Sequence, residues 1–238
     1  MNATVDLTGK VTLITGATGG VGRAVATAFH SAGARLALVS RSHDRLENLA
    51  AKVGLDDTGC ILREADLRDP AQAERVVAET VSCFGRLDIV LNLIGSWEAG
   101  RLATTSDERW QDVLATNLHS VFYVMRAAAV HLPDDGVILN IGGELPIEGR
   151  GGQLAYAVAK SGVITLTKSA ALELKERGIR VNALLPKNVD TPLNRTLRPN
   201  GDASLWVQPE QVANVLLFLA SPAAAAITGA LIPLDGRE

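Results

Sequence analysis

The chain has 238 residues, of which 47% are hydrophobic and 21% charged; this balance excludes a disordered protein and suits one large α/β domain. Its formal net charge of −3, with no block of like charge, argues against binding to nucleic acid or to an anionic membrane surface. No apolar run approaches the ~18 residues of a membrane span, and the histidines and cysteines show no metal-ligand spacing.

The first predicted unit is a strand, a glycine-rich turn and a helix. Val11 to Thr15 is a short apolar, β-branched run that predicts a buried strand, and Ala24 to Ala32 has helical spacing. Between them lies the sequence TGATGGVG. Glycines let the backbone approach a pyrophosphate closely, and a helix N-terminus offers free N–H groups and a favourable dipole. This context favours a phosphate-binding loop over a simple tight turn. The residues expected to form it are Gly16, Thr18, Gly19, Gly20, Val21 and Gly22.

The second strand, predicted at residues 35–39, ends at Ser40 and Arg41. In dinucleotide-binding folds an acid at this point binds the ribose 2′-hydroxyl, whereas an arginine accommodates a 2′-phosphate. The chain therefore favours NADP(H), with NAD(H) as the second choice. Asp44 nearby is a competing negative charge, and Arg41 as a merely solvated residue is the alternative.

A third strand is predicted at residues 60–64, and Asp66 follows it. The Asp66 carboxylate can accept a hydrogen bond from an adenine amino group, or it can cap the helix expected over residues 71–84. Both interpretations stay open at this point.

The fourth strand, predicted at residues 88–92, ends at Asn92, and Gly95 follows. A long amphipathic helix is expected over residues 107–132, with Asn117 in its interior. Because the asparagine amide competes with helical backbone bonding, Asn117 is expected either on the solvated face or in a functional role.

Tyr156 and Lys160 stand four residues apart in a run expected to be helical as far as about Arg177, after a fifth strand at 137–141. Residues at this spacing share one helix face. A positive charge beside a phenol lowers its pKa from ~10, so such a tyrosine can exchange a proton with a substrate oxygen near neutral pH. The pair alone is also compatible with an ordinary helix surface.

The last predicted elements are a strand at 179–185, an irregular stretch at 190–208, a helix at 209–220 and a strand at 231–234. Strict alternation of strands and helices predicts an α/β fold with a doubly wound parallel sheet of about seven strands and helices on both faces. One domain is expected over residues 1–238, with a short substrate lid around 190–208. Its ligand should lie beyond the carboxyl ends of the strands.

Together these features resemble the short-chain dehydrogenase/reductase family over nearly the whole chain, and that family has the Rossmann fold. The matching motifs are TGxxxGxG at Thr15, Gly16, Gly20 and Gly22, the adenine-binding aspartate at Asp66, the ends of Asn-Asn-Ala-Gly at Asn92 and Gly95, the helix asparagine at Asn117, YxxxK at Tyr156 and Lys160, the proline after the sixth strand at Pro186, and the threonine at Thr191. The resemblance implies the catalytic residues Asn117, Tyr156 and Lys160. With the residues from the glycine loop and strand ends, it implies a coenzyme site of Gly16, Thr18, Gly19, Gly20, Val21, Gly22, Ser40, Arg41, Asp66, Leu67, Asn92, Gly95, Tyr156, Lys160, Pro186, Val189 and Thr191, and no metal.

The resemblance implies an NADP(H)-dependent oxidoreductase that interconverts a carbonyl and an alcohol. Tyr156 would donate the proton, Lys160 would hold the nicotinamide ribose and lower the Tyr156 pKa, and Asn117 would position a water molecule. Small ketones or 3-oxoacyl thioesters are the expected substrates by analogy. A homotetramer or homodimer is expected. Because Cys60 and Cys83 lie in apolar contexts and are expected to be buried, no disulfide is expected and a cytoplasmic location fits.

Two positions depart from the family pattern. The family has a substrate-binding serine thirteen residues before the tyrosine, where this chain has Gly143, and no Ser or Thr occurs between Asn140 and Tyr156. Losing such a donor typically costs ~10²–10³ in rate. Lys187 replaces the usual glycine after Pro186, where it adds charge beside the nicotinamide end or turns outward into solvent.

The Gly143 backbone N–H or the Gln153 side chain could donate to the substrate oxygen in place of the serine, or Tyr156 alone suffices for an activated carbonyl at reduced rate; Glu144 is unsuitable when ionised. The chain is therefore expected to be a working reductase of reduced activity, and the alternative is a non-catalytic nucleotide-binding regulator or an inactive partner subunit. The residues that suggest an apolar pocket are Trp97, Leu145, Pro146, Ile147, Leu193, Leu197, Leu205 and Trp206, with Arg150, Arg195 or Arg198 at its rim. The alternative, favoured for most of them individually, is core or subunit interface for each apolar residue and a solvated face for each arginine.

Overall fold

A computed structural model describes residues 5–143 and 151–237 of the chain. Seven strands form one sheet in the order β3-β2-β1-β4-β5-β6-β7, and every neighbouring pair is parallel. The strands are β1 (Val11–Thr15), β2 (Arg35–Ser40), β3 (Cys60–Glu64), β4 (Ile89–Asn92), β5 (Val137–Ile141), β6 (Arg180–Pro186) and β7 (Leu231–Leu234).

The helices alternate with the strands along most of the chain. They are α1 (Gly22–Ser31), α2 (His43–Val53), α3 (Pro70–Phe84), α4 (Asp107–Leu114), α5 (Ser120–Ala129), α6 (Leu154–Glu173), α7 (Pro192–Leu197) and α8 (Pro209–Ala220). A π-helical turn, Ala115–His119, joins α4 to α5. The predicted doubly wound α/β fold is confirmed.

Both faces of the sheet are buried, because neighbouring strand residues point to opposite sides. On β1, Ile14 packs with Phe29 of α1 and Leu216 of α8 in one core cluster. Leu13, the residue before it, belongs to the second cluster, which includes Val124 of α5. Two layers of helices therefore cover the sheet and leave its carboxyl edge open.

The strand order changes direction between β1 and β4, since the chain winds from β1 to β3 on one side and from β4 to β7 on the other. At such a switch point the loops that follow the two central strands turn to opposite faces and open a crevice between them. The glycine-rich loop follows β1 and the segment containing Gly95 follows β4, so both border this crevice.

Three predicted boundaries differ from the structure. The expected helix over 107–132 is interrupted by the π-helical turn and ends at Ala129. The stretch 190–208, expected to be irregular, contains α7, whose first turn is capped by the Thr191 side chain over 3.2 Å. Helix α6 ends at Glu173, and a short 3₁₀ turn leads to Gly178, which has a φ of 65°.

The expectation that both cysteines are buried is wrong for one of them. Cys60 is buried on β3, whereas Cys83 is exposed near the end of α3. Both thiols are free. Among residues 5–143 and 151–237, no helix combines the length and apolar character that crossing a bilayer requires. In that same part of the chain, no three metal-ligating side chains come together.

Candidate active site

The loop after β1 is shaped so that side chains would collide with its neighbours. Gly16 has a φ of 64°, and a Cβ on it would lie 3.0 Å from the backbone that follows β4. A Cβ on Gly22 would lie 1.7 Å from the carbonyl oxygen of Ala17, and one on Gly20 would lie 2.5 Å from Thr191 Cγ2. The loop therefore depends on glycine for close backbone approach, as a phosphate-binding loop does.

Helix α1 begins at this loop without a side-chain cap. Its N-cap residue, Val21, has no side-chain acceptor to offer, whereas Ser42, Asp69 and Ser106 cap α2, α3 and α4. The first N–H groups of a helix lack intrahelical partners, and the helix dipole makes that end favourable for an anion. The N-terminus of α1 is therefore suited to a pyrophosphate.

Two arginines lie near the carboxyl end of β2. Ser40 Oγ accepts a hydrogen bond from the Ser42 N–H over 3.1 Å, which fixes the turn into α2. Arg41 is exposed and lines the cleft. Arg45, in the first turn of α2, donates to the Thr18 carbonyl over 3.0 Å and lines the cleft as well. This end of the cleft therefore carries two positive charges.

Asp66 lines the cleft with its carboxylate held by Arg68. The Arg68 Nη2 and Nε atoms lie 2.6 Å and 2.9 Å from Asp66 Oδ2, and Arg68 Nη1 bonds Asp112 at 2.6 Å. Hydrogen bonding from Arg68 lowers the pKa of Asp66. The alternative role as a helix cap is wrong, because Asp69 caps α3 by accepting from the Ala71 N–H over 2.9 Å. Asp66 therefore stays an ionised acceptor at the cleft wall.

Two expected coenzyme residues, Gly22 and Asn92, do not line the cleft and instead pack beneath its surface. Gly22 packs inside its own turn. Asn92 is 1% exposed and donates to Asn140 Oδ1 over 2.9 Å, and Asn140 donates to Thr167 Oγ1 over 2.9 Å. This buried chain of polar groups ties β4 and β5 to α6. The expected residues that do line the cleft are Gly16, Thr18, Gly19, Gly20, Val21, Ser40, Arg41, Asp66, Leu67, Gly95, Tyr156, Lys160, Pro186, Val189 and Thr191.

Tyr156 and Lys160 share one face of α6. Lys160 Nζ lies 5.9 Å from the centre of the Tyr156 ring and donates to the Ile141 carbonyl over 2.9 Å. Burial raises the pKa of Tyr156 to about 12 and lowers the pKa of Lys160 to about 8. The expected lowering of the Tyr156 pKa is wrong here, because burial penalises the phenolate more than the ammonium favours it. Tyr156 is therefore a protonated phenol at neutral pH.

Asn117 lies in the π-helical turn and is fully buried, so its placement on a solvated face is wrong. Its amide donates to the Val113 carbonyl over 3.0 Å, and its Oδ1 accepts from the Ser96 N–H over 3.0 Å. A Cβ on Gly95 would lie 3.1 Å from Asn117 Oδ1 and 3.0 Å from Lys160 Nζ. Asn117 Oδ1 and Lys160 Nζ therefore both lie close to Gly95.

Tyr156 opens onto a cavity of about 850 Å³ that Gly143 and Lys187 also line. A Cβ on Gly143 would lie 3.5 Å from the Tyr156 hydroxyl and 3.8 Å from Lys160 Cγ, which is ordinary contact. Position 143 is therefore next to the phenol, and it has room for a small side chain. Lys187 is half-buried on this wall and is not a side chain turned wholly into solvent.

Only some of the residues expected to form the pocket walls line the cavity. Trp97, Leu193, Leu197 and Arg198 line the cavity. Trp206 is 3% exposed and lies in the interior. Arg195 is held by Asp190 at 2.6 Å. Trp206, Arg195 and Leu205 are not among the described residues that line the cavity. Gln153, one of the two suggested donors, accepts from the Trp97 indole over 2.9 Å and does not line the cavity. Glu144, Leu145, Pro146, Ile147 and Arg150 lie outside the described residues.

Three residues of the site were not predicted from the sequence. Arg45 stands four residues after Arg41, a spacing that signals a shared helix face. Arg68 stands two residues after Asp66, but its bond to Asp112 depends on tertiary structure. Ser96 acts through its backbone N–H, for which the residue type gives no signal.

Comparison with known proteins agrees with this geometry. The family model described as enoyl-(acyl carrier protein) reductase matches residues 16–236. The 3-oxoacyl-[acyl-carrier-protein] reductase of Escherichia coli is 34% identical, over 98% of each chain. This chain belongs to the short-chain dehydrogenase/reductase family. The predicted class of enzyme, an oxidoreductase that interconverts carbonyl and alcohol groups, is thereby confirmed.

Two solved structures show the same architecture. A short-chain dehydrogenase/reductase of Brucella melitensis, named glucose/ribitol dehydrogenase, has a TM-score of 0.93 at 29% identity, covering 98% of each chain. A blue fluorescent protein from a metagenomic library, solved in complex with NADPH, has a TM-score of 0.89 at 30% identity, again over 98% of each chain. The family binds nicotinamide coenzymes, and the glycine loop and α1 of this chain have a shape that fits one.

Proposed function

We propose that this chain is an NADPH-dependent reductase of small ketones or 3-oxoacyl thioesters, with Tyr156 as the proton donor. The observation that carries this proposal is the placement of the half-buried Tyr156 phenol, whose pKa is raised to about 12, on the same cleft as the glycine loop. When bound there, a nicotinamide coenzyme supplies the hydride that reduces the carbonyl carbon.

The residues that would hold the coenzyme follow from the charges along the cleft. The Gly16–Gly22 loop and the uncapped start of α1 suit the pyrophosphate. Arg41 and Arg45 suit a 2′-phosphate, since guanidinium groups bind phosphate well. Asp44, the expected competing charge, does not line the cleft among the described residues. This balance favours NADPH over NADH.

The other contacts rest on the family resemblance combined with the geometry. Asp66 is an ionised acceptor that suits the adenine amino group. Val189 and Thr191 line the cleft at its other end, where the resemblance implies a contact with the coenzyme amide. Lys160 would hold the nicotinamide ribose from beneath.

The proton step belongs to Tyr156. Because the pKa of Tyr156 is raised to about 12, the hydroxyl carries its proton throughout the neutral range and can give it to the carbonyl oxygen as negative charge develops there. Lys160 and Asn117 both approach Gly95, which supports the role that the family resemblance implies for them, namely returning a proton to Tyr156 through a water. Near pH 7 the phenol is therefore in the protonation state that a proton donor for carbonyl reduction requires.

The substrate class is suggested by the cavity walls and the relatives. Trp97, Leu193 and Leu197 give the cavity an apolar side that suits an acyl chain or an alicyclic ketone. The 3-oxoacyl reductase of Escherichia coli, at 34% identity, supports the thioester class.

A second function is favoured by one observation, the absence of a side chain at Gly143 beside Tyr156. A protein that binds NADPH but turns over no carbonyl compound would be a regulator or an inactive partner subunit. The two functions differ in turnover and not in coenzyme binding, so a single set of measurements separates them.

The test is to titrate NADPH and NADH against tryptophan fluorescence and then to follow NADPH consumption with diketones, quinones and acetoacetyl thioesters. We expect NADPH to bind more tightly than NADH and at least one carbonyl compound to be reduced. Tyr156→Phe should then lose ~10²–10⁴ of kcat/KM, the usual contribution of a general acid, while NADPH affinity stays unchanged.

The matched control is Tyr123→Phe, which alters the other tyrosine of the chain; it lies on α5 and should keep full activity. Tight NADPH binding without turnover on any substrate would favour the regulator. Equal activity of Tyr156→Phe and the parent would exclude Tyr156 as the proton donor.

Two further properties stay predictions that the family resemblance supports. A homotetramer or homodimer is expected, and analytical ultracentrifugation of the purified chain measures it. A reducing compartment such as the cytoplasm is expected, and the two free thiols are compatible with it.

A further inference from the structure

One wall of the cavity is formed by Trp97, a large side chain that is open to solvent. Trp97 lines the same cavity as Tyr156, and it is 38% exposed. A side chain this open can occupy more than one rotamer unless a specific contact selects one of them. The contact that fixes the indole therefore decides the shape of this wall.

The backbone around Trp97 is tied to the start of α6. The Gly100 N–H donates to the Gly152 carbonyl over 2.8 Å, and the Gly100 carbonyl accepts from the Leu154 N–H over 3.1 Å. On the other side, the Ser96 N–H is bonded to the π-helical turn over 3.0 Å. The backbone that carries the indole is therefore held at both ends.

The indole itself is bonded to Gln153, the N-cap residue of α6. Trp97 Nε1 donates to Gln153 Oε1 over 2.9 Å, a normal hydrogen-bond length. At an N-cap a side-chain oxygen usually accepts from the backbone of the first helical turn. The Gln153 side chain makes no such bond, so its amide oxygen serves the indole and not the helix.

This bond brings the indole to the reaction end of the cavity. Gln153 precedes Tyr156 by three residues, which is about one helical turn, so the two side chains share a helix face. Trp97 also follows Gly95 by two residues, and a Cβ on Gly95 would lie 3.0 Å from Lys160 Nζ. The indole is therefore connected through short stretches of chain to both members of the reactive pair.

We propose that Gln153 is a positioning residue that holds the Trp97 indole as a wall of the substrate site, so that the pair limits the size of the carbonyl compound that reaches Tyr156. This inference rests on the proposed function. Gln153 is not among the described residues that line the cavity, so it acts through the indole and not on the substrate oxygen.

The pair selects against bulk next to the reacting carbonyl. An indole is rigid and flat, so a compound with slender aliphatic substituents passes beside it. A compound with an aromatic ring next to the carbonyl must displace the indole and break its bond to Gln153, at the free-energy cost of that hydrogen bond. Slender aliphatic diketones and unbranched acyl chains are therefore the favoured substrates.

The experiment measures kcat/KM with NADPH for a small diketone, butane-2,3-dione, and for a bulky one, 1-phenylpropane-1,2-dione. The ratio of the two values reports on the wall and is independent of the amount of active protein. We expect Trp97→Ala to shift this ratio toward the bulky diketone by at least ~10-fold, the scale on which small changes of pocket volume alter selectivity. Gln153→Met keeps the side-chain length without the acceptor, and it should shift the ratio in the same direction by ~3–10-fold, as loss of one hydrogen bond does.

A pair of double variants isolates the bond. Trp97→Phe keeps an aromatic ring but removes the N–H donor. In that background Gln153→Met should cause no further change in the ratio, because the bond is already lost. Gln153→Glu keeps an oxygen acceptor at the same length and should retain the ratio of the parent.

Controls separate this role from a structural one. Gln111→Met and Trp110→Phe alter a glutamine and a tryptophan of α4 that are not among the described lining residues, and both should keep the ratio of the parent. NADPH affinity by calorimetric titration and the thermal unfolding midpoint should match the parent in every variant. If Gln153→Met does not fold, Trp97→Phe removes the same bond from the other partner and must itself shift the ratio toward the bulky diketone.

Three results would overturn the proposal. One is an unchanged ratio in Gln153→Met or an equal fall of kcat/KM for both diketones, since the bond would then not shape the site. Another is an effect of Gln153→Met that persists in the Trp97→Phe background, since Gln153 would then act without the indole. The third is a parent that binds NADPH but reduces no carbonyl compound, because the proposed function then fails and this inference fails with it. Reduction that depends on Tyr156, with a ratio that ignores Gln153, rejects the inference alone.

Discussion

The two ends of the cleft are built in different ways. The nucleotide end is defined by backbone: Gly16, Gly20 and Gly22 each occupy a place where a Cβ would come within 3.0 Å of another atom. The reaction end is defined by side chains, and a Cβ on Gly143 would find ordinary contact distances. The first end therefore tolerates few substitutions, whereas the second can exchange one donor for another without disturbing the fold.

This difference explains where the chain keeps and where it leaves the family pattern. Steric fit restricts the glycine loop to its motif, because a Cβ on Gly16 or Gly22 would meet backbone and a Cβ on Gly20 would meet the Thr191 side chain. At the reaction end the constraint is chemical, since what matters is that a donor reaches the substrate oxygen. Gly143 and Lys187 both depart from the pattern on that side.

The largest expected effect concerns the buried charge at the reaction end. Burial lowers the pKa of Lys160 from 10.5 to about 8. Between those values the unfolded chain holds a proton that the folded protein has lost, so stability rises with pH in that window. Lys160→Met has no such group. We expect the free energy of unfolding of Lys160→Met minus that of the parent to be about 3 kcal/mol larger at pH 7 than above pH 10.5, because only the parent carries the buried charge at the lower pH.

Urea unfolding of both proteins at the two pH values measures this difference. The loss of the hydrogen bond to Ile141 shifts both values equally and cancels in the comparison. Lys168→Met, on the exposed side of the same helix, should show no pH-dependent difference. If the difference in free energy of unfolding between Lys160→Met and the parent were the same at both pH values, burial would not destabilise the Lys160 ammonium in the folded protein.

The next effect tests the backbone character of the nucleotide end. Gly22→Ala places a methyl group 1.7 Å from the Ala17 carbonyl oxygen, so the turn must open. We expect about 2 kcal/mol of destabilisation, within the range for overpacked sites, and at least ~10-fold weaker NADPH binding. Calorimetric titration and urea unfolding measure the two quantities.

Gly59→Ala is the matched control. Its nearest neighbour would be Asp56 Oδ1 at 3.6 Å, and its backbone needs no left-handed conformation. Stability and NADPH affinity should therefore equal those of the parent. If Gly22→Ala were equally harmless, the nucleotide end would not depend on backbone approach, and the contrast between the two ends would disappear.

Much of the fold was open to prediction from sequence, because the buried parallel strands are continuous apolar runs such as Val11–Thr15 and the turns between elements carry glycine. The glycine loop and the Tyr156–Lys160 pair were found because their spacing is itself the signal. Burial could not be predicted from these patterns. It raises the pKa of Tyr156, where a lowering was expected, and it encloses Asn117, which lies in a π-helical turn.

Other details depend on partners that are distant in sequence. Arg68, which holds the neighbouring Asp66, also binds Asp112, 44 residues away in sequence, and no local pattern predicts that second bond. Helix α7 is different, since Thr191 followed by Pro192 is a cap and first-turn signal that the proline and glycine content of the stretch obscured.

A smaller effect concerns the choice of coenzyme at the nucleotide end. Arg41→Ala removes one of two cations that suit a 2′-phosphate. We expect NADPH affinity to fall ~10-fold, about 1.5 kcal/mol for one hydrogen bond to a charged group, while NADH affinity stays the same. Arg75→Ala, which removes an exposed arginine of α3, should change neither. A parallel loss of NADPH and NADH would place Arg41 away from the 2′ position.

The smallest expected effect is at position 143, and its neighbour provides the comparison. A Cβ on Gly142 would lie 2.4 Å from Leu185 Cδ2, whereas the nearest described atom to a Cβ on Gly143 is 3.5 Å away. Gly143→Ser should therefore change the free energy of unfolding by less than ~0.5 kcal/mol, and Gly142→Ser should destabilise the protein by ~1–3 kcal/mol. Urea unfolding of both variants decides the point. Equal losses of unfolding free energy in the two variants would mean that packing leaves no room for a side chain at position 143. The reaction end would then be no freer to exchange side chains than the glycine loop.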